Sequence, residues 1–313
     1  MKKIFNRLLL TLIFAGVLLG GFYFFGASTL PQGKAGKEPE GEERYYSSPL
    51  MPDMLSFAGE PVPLNYFDVR ESLERELLVN SYFHSQTLRF LKLAPRYFAV
   101  IEPLLAKDSI PDDFKYLALA ESGFNSRAVS PAGAVGFWQF LKGTATDYGL
   151  EVTGEVDERY HLELSTHAVA RYLKDSFRKY GSWSLVAASY NAGRRFVDRQ
   201  ISTQKESSYF DLMLGEETER YVFRILALKL ILENPEAYGF QVAEGEKYPL
   251  WRTKNVQVST AVPDFALFAK EHDTNYKILK MLNPWLRESF LTNAKGKTYT
   301  IKIPDKDFRT LKK

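Results

Sequence analysis

Glu121 is the residue whose position first suggests chemistry. It closes the run Pro111-Asp112-Asp113-Phe114-Lys115-Tyr116-Leu117-Ala118-Leu119-Ala120-Glu121-Ser122-Gly123. Phe114, Leu117 and Ala118 fall on one helical stripe, and position 121 is the next member of that series. A carboxylate thus stands where a core side chain belongs. An acid in an apolar setting has a raised pKa, because desolvation disfavours its charged form. That is the property a general acid needs near neutral pH. The alternative is a solvated glutamate at a frayed helix end. Pro111 suits the first turn of this helix, Asp112 and Asp113 suit the positive end of its dipole, and Gly123 suits its stop.

Three later segments carry side chains that could hold a sugar. Ser130-Pro131-Ala132-Gly133-Ala134-Val135-Gly136-Phe137-Trp138-Gln139-Phe140 joins a turn-forming Ser-Pro and two glycines to an aromatic pair and a glutamine. Glycines admit close backbone approach to a bulky ligand. Trp138 offers an aromatic face, and the Gln139 amide could bond hydroxyl or acetamido groups. The plainer reading is a loop entering a helix with a packed Trp. Ala188-Ser189-Tyr190-Asn191-Ala192-Gly193 puts Tyr190 and Asn191 at a helix end that could face a cleft or be a simple C-cap. Glu217-Thr218-Glu219-Arg220-Tyr221-Val222 begins a helix with the stripe Tyr221, Ile225, Leu228 and Leu232. A Tyr at the head of such a stripe is ordinarily core with its hydroxyl satisfied.

The elements that must position these residues are helical. From Phe67 to Ala106 apolar residues recur at helical spacing, including Leu73, Leu77, Leu88, Leu91 and Phe98, and further helical segments run to about Asn234. Residues 66–245 read as one all-α domain. After Tyr248 the character changes. Val256, Val258 and Ala261 are strand-like, Phe265 to Glu271 and Tyr276 to Leu282 are short helices, and Tyr299 to Ile303 alternates as a strand. Residues 246–313 therefore form a small β-α-α-β module. The fold class is mainly α, with that module at the C-terminal end.

The chain has 313 residues, 45% hydrophobic, with a formal net charge of +3. This suffices for one large core or two smaller ones. The charge is too mild to argue for nucleic acid, and no RNP-type motif occurs. The chain has no cysteine, which excludes disulfide scaffolds, thiolate metal sites and cysteine nucleophiles. The histidines, His84, His161, His167 and His272, make no metal-binding pattern, so no metal or other cofactor is expected. At the N-terminus Lys2, Lys3 and Arg7 precede an uncharged stretch from Leu8 to Gly26, near the roughly 20 apolar residues of a membrane span. Phe22 to Phe25 lie toward its far end, where aromatics favour the interface. Residues 1–27 read as a membrane anchor in preference to a cleaved signal, with the body of the protein exported to the cell envelope. Residues 28–65, rich in Pro, Gly, Glu, Ser and Lys, read as a flexible linker.

Taken in order, the four segments resemble the lysozyme-like lytic transglycosylase family of the soluble and membrane-bound D types. The family pattern is Glu-Ser at a helix end, Gly-x-x-Gln, Ala-Tyr-Asn-Ala-Gly, and a Tyr in Glu-Thr-x-x-Tyr-Val. Here these are Glu121-Ser122, Gly136-Phe137-Trp138-Gln139, Ser189-Tyr190-Asn191-Ala192-Gly193, and Glu217 through Val222. Ser189 replaces the usual first Ala, and Phe137-Trp138 replaces an aliphatic pair. The resemblance implies a lysozyme-like helical domain that cleaves the β-1,4 bond between N-acetylmuramic acid and N-acetylglucosamine in peptidoglycan strands. Glu121 would be the one catalytic carboxylate and would serve both half-steps, giving a 1,6-anhydromuramoyl product without water. Ser122, Ser130, Trp138, Gln139, Tyr190, Asn191 and Tyr221 would bind substrate. Ordinary glycosidases use two carboxylates, and the other three motifs supply no second one. The C-terminal module resembles LysM, a glycan-binding fold, through Val262-Pro263-Asp264-Phe265, Asn275-Tyr276, Leu282-Asn283-Pro284 and Tyr299 to Pro304. The rival readings are a hydrolytic lysozyme- or chitinase-like glycosidase and a non-catalytic wall-binding scaffold.

Overall fold

A computed structural model describes residues 47–310, of which those from Ser48 onward belong to one compact unit. The expected anchor, residues 1–27, lies outside the described residues. Among the described residues no helix is long and apolar enough to cross a membrane.

The stretch expected as linker is packed at its described end. A minimal antiparallel hairpin, β1 (Ser56–Phe57) and β2 (Glu60–Pro61), sets Phe57 against Phe114 with ring centroids 5.4 Å apart. Phe57 is fully buried, and Val62 and Leu64 join the core. The backbone N–H of Ala58 donates to Asp113 at 2.7 Å. The Glu60 carboxylate accepts from Ser182 and Ser184 hydroxyls and from the N–H of Ser184, each at 3.1 Å. A few apolar side chains and the part-buried hydrogen bonds of Ala58 and Glu60 therefore override the tether-like composition around them.

The helical body begins with α1 (Phe67–Tyr82) and α2 (His84–Lys107), separated by a break at Phe83 that the helical periodicity runs straight through. Then follow α3 (Lys115–Ser122), α4 (Lys142–Asp147), α5 (Leu162–Tyr180), α6 (Trp183–Ala192), α7 (Arg194–Gln204) and α8 (Glu216–Glu233). Helix α8 is the hub: it packs against α1, α3 and α6. Its Val222, Ile225, Leu226 and Ala227 are fully buried. Helix ends are set by the residues that the sequence supplies for them. Gly123 and Gly181 adopt the left-handed conformation that stops α3 and α5, and Ser182 caps α6 through its hydroxyl.

The C-terminal module comprises β3 (Thr253–Val258), α9 (Phe265–Glu271), α10 (Tyr276–Leu282) and β4 (Tyr299–Pro304), with β3 and β4 antiparallel from Thr253–Pro304 to Val258–Tyr299. Asp264 and Asn275 cap its two helices. Its core, with Phe265, Leu279, Leu286 and Ile301 almost wholly buried, also takes in Val135, Val156 and Tyr160 of the helical domain. The molecule is thus mainly helical, with a small β-α-α-β module at its C-terminal end.

Candidate active site

Helix α3 delivers Glu121 as its apolar spacing requires. Pro111 is extended, a single 3-10 turn follows at Asp112–Phe114, and α3 then runs to the left-handed Gly123. Phe114, Leu117 and Ala118 are fully buried. Glu121 continues their stripe at the point where α3 meets α8. The residue keeps partial exposure, while its carboxyl is enclosed enough for burial to lift its pKa to about 7. A hydrogen bond from Tyr221 and the positive charge of Arg224 pull the other way, and Glu217 adds a smaller upward push. The Tyr221 hydroxyl donates to Glu121 Oε1. Tyr221 is itself 1% exposed, so its phenol has been dried and aimed at one oxygen of that carboxyl.

Tyr190, at the end of α6, is the second phenol of the site. Its hydroxyl donates to the carbonyl of Trp138 at 2.5 Å. Its ring lies 6.2 Å from that of Phe140 and edge-on to Tyr172 at 5.4 Å. Burial first, then the charge of Glu121, holds the pKa of both Tyr190 and Tyr221 well above the ordinary range. Both phenols remain donors throughout neutral pH. Asn191 Oδ1 accepts from the Thr218 hydroxyl at 2.9 Å, which joins the end of α6 to the first turn of α8, one turn before Tyr221.

The loop of residues 128–140 is a knot of local hydrogen bonds. Ala134 N–H donates to the Ser130 hydroxyl at 3.0 Å, Gly136 N–H to Ala128 O at 3.0 Å, and Val135 N–H to Phe140 O at 3.2 Å. Gln139 has φ +50°, and its side-chain amide donates to Gly136 O at 2.8 Å and Ala128 O at 3.3 Å. Gln139 therefore shapes its own loop. Ser122 turns back along α3, its hydroxyl donating to Ala118 O at 2.9 Å. Trp138 differs most from expectation. Its side chain is fully buried, and its indole N–H donates to Thr166 at 3.0 Å. The ring is core and has no face open to a sugar; what Trp138 contributes to the site is its backbone carbonyl.

The structure thus gathers Glu121, Tyr221, Tyr190, the Trp138 carbonyl and the Asn191–Thr218 bond, and leaves Ser122, Ser130 and Gln139 bonded within their own segments. Three charged groups that support the site carry no signal in the motifs. Arg224, one turn beyond Tyr221, bonds Glu217 at 2.8 and 3.2 Å, and that pairing lowers the pKa of Glu217. Glu76 of α1 is buried and meets Arg220 at 2.6 Å and Arg224 at 3.6 Å. Arg159 is buried against Asp157 and reaches the 128–140 loop. The spacing of Arg220 and Arg224 shows one helix face, but no local pattern shows the glutamate on α1 that they bind. Among the described residues no cluster of three or more His, Asp or Glu could hold a metal ion.

Two segments of the chain match known protein families. Residues 99–213 match the transglycosylase SLT domain, and residues 254–307 match the soluble lytic transglycosylase C-terminal LysM-like domain. Membrane-bound lytic murein transglycosylase D of Escherichia coli K12 is 31% identical over 263 residues, covering 81% of this chain and 56% of that protein. The chain therefore spans little more than half the length of that relative. A peptidoglycan transglycosylase of Escherichia phage T7 is 33% identical over 143 residues, covering 44% of this chain and 11% of that protein. The crystal structure of the 70 kDa soluble lytic transglycosylase of Escherichia coli superposes with a TM-score of 0.39 at 22% identity, covering 50% of this chain and 27% of that one. With both matches in order and the Escherichia coli K12 relative aligned along 81% of the chain, the chain carries an SLT-family lytic transglycosylase domain followed by a LysM-like C-terminal module.

Proposed function

We propose that this protein is a peptidoglycan lytic transglycosylase that cleaves the β-1,4 bond between N-acetylmuramic acid and N-acetylglucosamine, with Glu121 as its single acid–base group. The observation that carries this reading is the Glu121 carboxyl itself: enclosed, with a pKa lifted to about 7, and bonded through one oxygen to a buried phenol. Near neutral pH such a group is present in both protonation states, as one residue that must act first as acid and then as base requires.

In the protonated form Tyr221 occupies Oε1, which leaves the acidic proton on Oε2. That proton passes to the glycosidic oxygen as its bond to C1 of the muramoyl residue breaks. The muramoyl C6 hydroxyl then attacks C1, and its proton goes to the Glu121 carboxylate. The acid is regenerated, a 1,6-anhydro ring closes, and no water is consumed. Tyr221 stabilises the carboxylate formed between the two transfers. None of the three acids in the first turn of α8 is arranged as a second catalytic carboxylate: Glu216 is exposed and paired with Arg75 at 2.9 Å, Glu217 is exposed and clamped by Arg224, and Glu219 accepts the N–H of Leu214 at 2.8 Å. This fits a mechanism without the second group of ordinary glycosidases. Tyr190, Asn191, Ser122, Ser130 and Gln139 complete the proposed substrate cleft, the last two by holding the 128–140 loop.

The same reading places the protein in the cell envelope, with residues 1–27 as anchor, the following stretch joining it to the body through the packed hairpin at Ser56–Pro61, 66–245 as catalytic domain and 246–313 as a module that holds glycan. Mass spectrometry of products from purified sacculi tests the chemistry. Muropeptides one water lighter than their hydrolytic counterparts are expected, and none from Glu121→Gln. Reducing, hydrated ends would make the protein a hydrolase. The absence of any product from the folded wild-type protein would make it a binding scaffold.

A further inference from the structure

The face of the C-terminal module that meets the helical domain is built around the segment from Glu151 to Glu163. Asp157 N–H donates to Trp285 O at 2.9 Å, and Arg287 N–H donates to Glu155 O at 2.7 Å, with a bridge between Val156 and Leu286 in the same register. The Glu155 carboxylate accepts from Thr292 N–H at 2.7 Å and from its hydroxyl at 2.9 Å. The Arg287 guanidinium lies over the Tyr160 ring, 4.2 Å from its centroid. So the module adds backbone pairing, side-chain bonds and a shared apolar core to one short stretch of the catalytic domain.

That stretch in turn grips the 128–140 loop. Asp157 and Arg159 are each 7% exposed and form a two-pronged pair, Nε to Oδ1 at 2.9 Å and Nη2 to Oδ2 at 2.7 Å. The remaining nitrogen, Nη1, donates to Gly133 O and to Phe140 O, both at 3.2 Å, at either end of the glycine-containing turn. Gly136 lies directly on the backbone of Arg159: a Cβ there would stand 2.2 Å from the Arg159 carbonyl oxygen. Val135 of the loop is buried in the module's core. The loop's far side is held by Tyr190, through the Trp138 carbonyl.

We propose that Arg159 is a positioning residue which couples the docked C-terminal module to the 128–140 loop, so that the module sets the shape of the catalytic cleft as well as holding wall glycan. The step from loop shape to turnover rests on the transglycosylase reading above. A buried guanidinium with a planar fork can satisfy a carboxylate and two carbonyls together; an ammonium is a point charge and cannot reproduce that geometry.

The test uses the full chain and two variants. Arg159→Lys keeps the charge beside Asp157 but breaks the fork. The surface pair Glu155→Ala with Arg287→Ala loosens the module's docking without touching the loop or the cleft. Hydrogen exchange of the amides of residues 134–136 is measured alongside kcat/KM on sacculi and pelleting with sacculi. In both variants those amides should exchange about tenfold faster, while amides within α3 and α8 keep their protection. Arg159→Lys should lower kcat/KM about tenfold with pelleting unchanged. Loop exchange at the wild-type rate in both variants, or faster exchange with unchanged kcat/KM, would overturn the proposal. The exchange measurement needs no catalysis, so failure of the Glu121 chemistry is told apart from failure of this coupling by the products that Glu121→Gln yields.

Discussion

A carboxyl that ionises only near pH 7 carries a thermodynamic consequence as well as a catalytic one. Glu121 binds its proton more tightly in the folded protein than in the unfolded chain, where its ordinary pKa is about 4.5. The stability this contributes is fully present below pH 4.5 and is lost as pH rises toward 7. The folded form at pH 8 is therefore penalised by on the order of 3 kcal/mol, at about 1.4 kcal/mol for each tenfold change in proton affinity. Glu121→Gln removes the titration but can still accept the Tyr221 hydrogen bond. It should match the wild type in thermal stability near pH 4 and exceed it at pH 8, while losing cleavage by at least the 10²- to 10⁴-fold typical of general acid–base catalysis. Equal melting temperatures across that range would mean that Glu121 is solvated in the folded state. Tyr221→Phe makes a separate prediction. The phenol lowers the pKa of Glu121, so its loss should raise that value further and carry the alkaline limb of the kcat/KM profile to higher pH. A limb that moves downward, or not at all, would show that Tyr221 does not hold the carboxylate.

At the scale of elements, the site depends on how closely a loop and a strand-like segment approach. Gly136 has φ +79°, and any Cβ would collide with backbone at Arg159. Backbone cannot rotate away as a side chain can. Gly136→Ala should cost more than the roughly 1–2 kcal/mol of placing alanine in the left-handed region alone. Gly123→Ala makes the control, because its φ is +55° and its nearest neighbour is the Phe90 ring at 3.0 Å, which can shift. Urea midpoints of the two variants should therefore differ, with Gly136→Ala the less stable. These elements were legible in unequal measure. Both helices of the module and the stop of α3 at Gly123 are written in local spacing and caps; the start of α3 is not, because Pro111 lies outside the helix and Asp112–Phe114 form a 3-10 turn ahead of it. Helix α1 was separable from α2 only by a break at Phe83 that periodicity does not mark. The hairpin at Ser56–Pro61 is invisible to composition, because its stability comes from Phe57 finding Phe114 far along the chain. The same reason hid Glu76 and Arg159. A buried charge is tolerable only with its partners; those of Glu76 lie far along the chain on α8, and although Asp157 stands two residues from Arg159, nothing local marks the pair as buried or names the loop carbonyls it meets. Trp138 misled because an aromatic beside glycines reads alike whether it faces a ligand or the core.

For the whole molecule, the attachment of the C-terminal module to the helical domain is partly electrostatic, and the carboxylates lie on one side of it. Glu163 meets Lys302, Glu151 meets Lys297 at 2.8 Å and the Tyr299 hydroxyl at 3.0 Å, and Glu155 meets Thr292. Burial would raise the pKa of Glu163, but the hydrogen bond from His161 and the charge of Lys302 outweigh it and bring it to about 2. A depressed carboxyl pKa means stability that is present above about pH 4.5 and lost as pH falls toward 2. Acid should thus weaken docking by protonating Glu163, while the apolar core that the module shares with Val135, Val156 and Tyr160 resists. Trp285 reports on this junction: it is 3% exposed, 5.5 Å from the His161 ring and stacked on Tyr299 at 5.7 Å. The fluorescence difference between wild type and Trp285→Phe should shift to the red between pH 4.5 and 2, ahead of the loss of helical circular dichroism. Lys302→Met removes one of the two partners that depress Glu163 and the one that lies in the module, so docking in that variant should be weaker at pH 7 and less sensitive to acid. If the Trp285 signal instead moves only together with the helical signal, and Lys302→Met leaves its midpoint unchanged, the ion pairs do not govern docking and the shared apolar core alone holds the module in place.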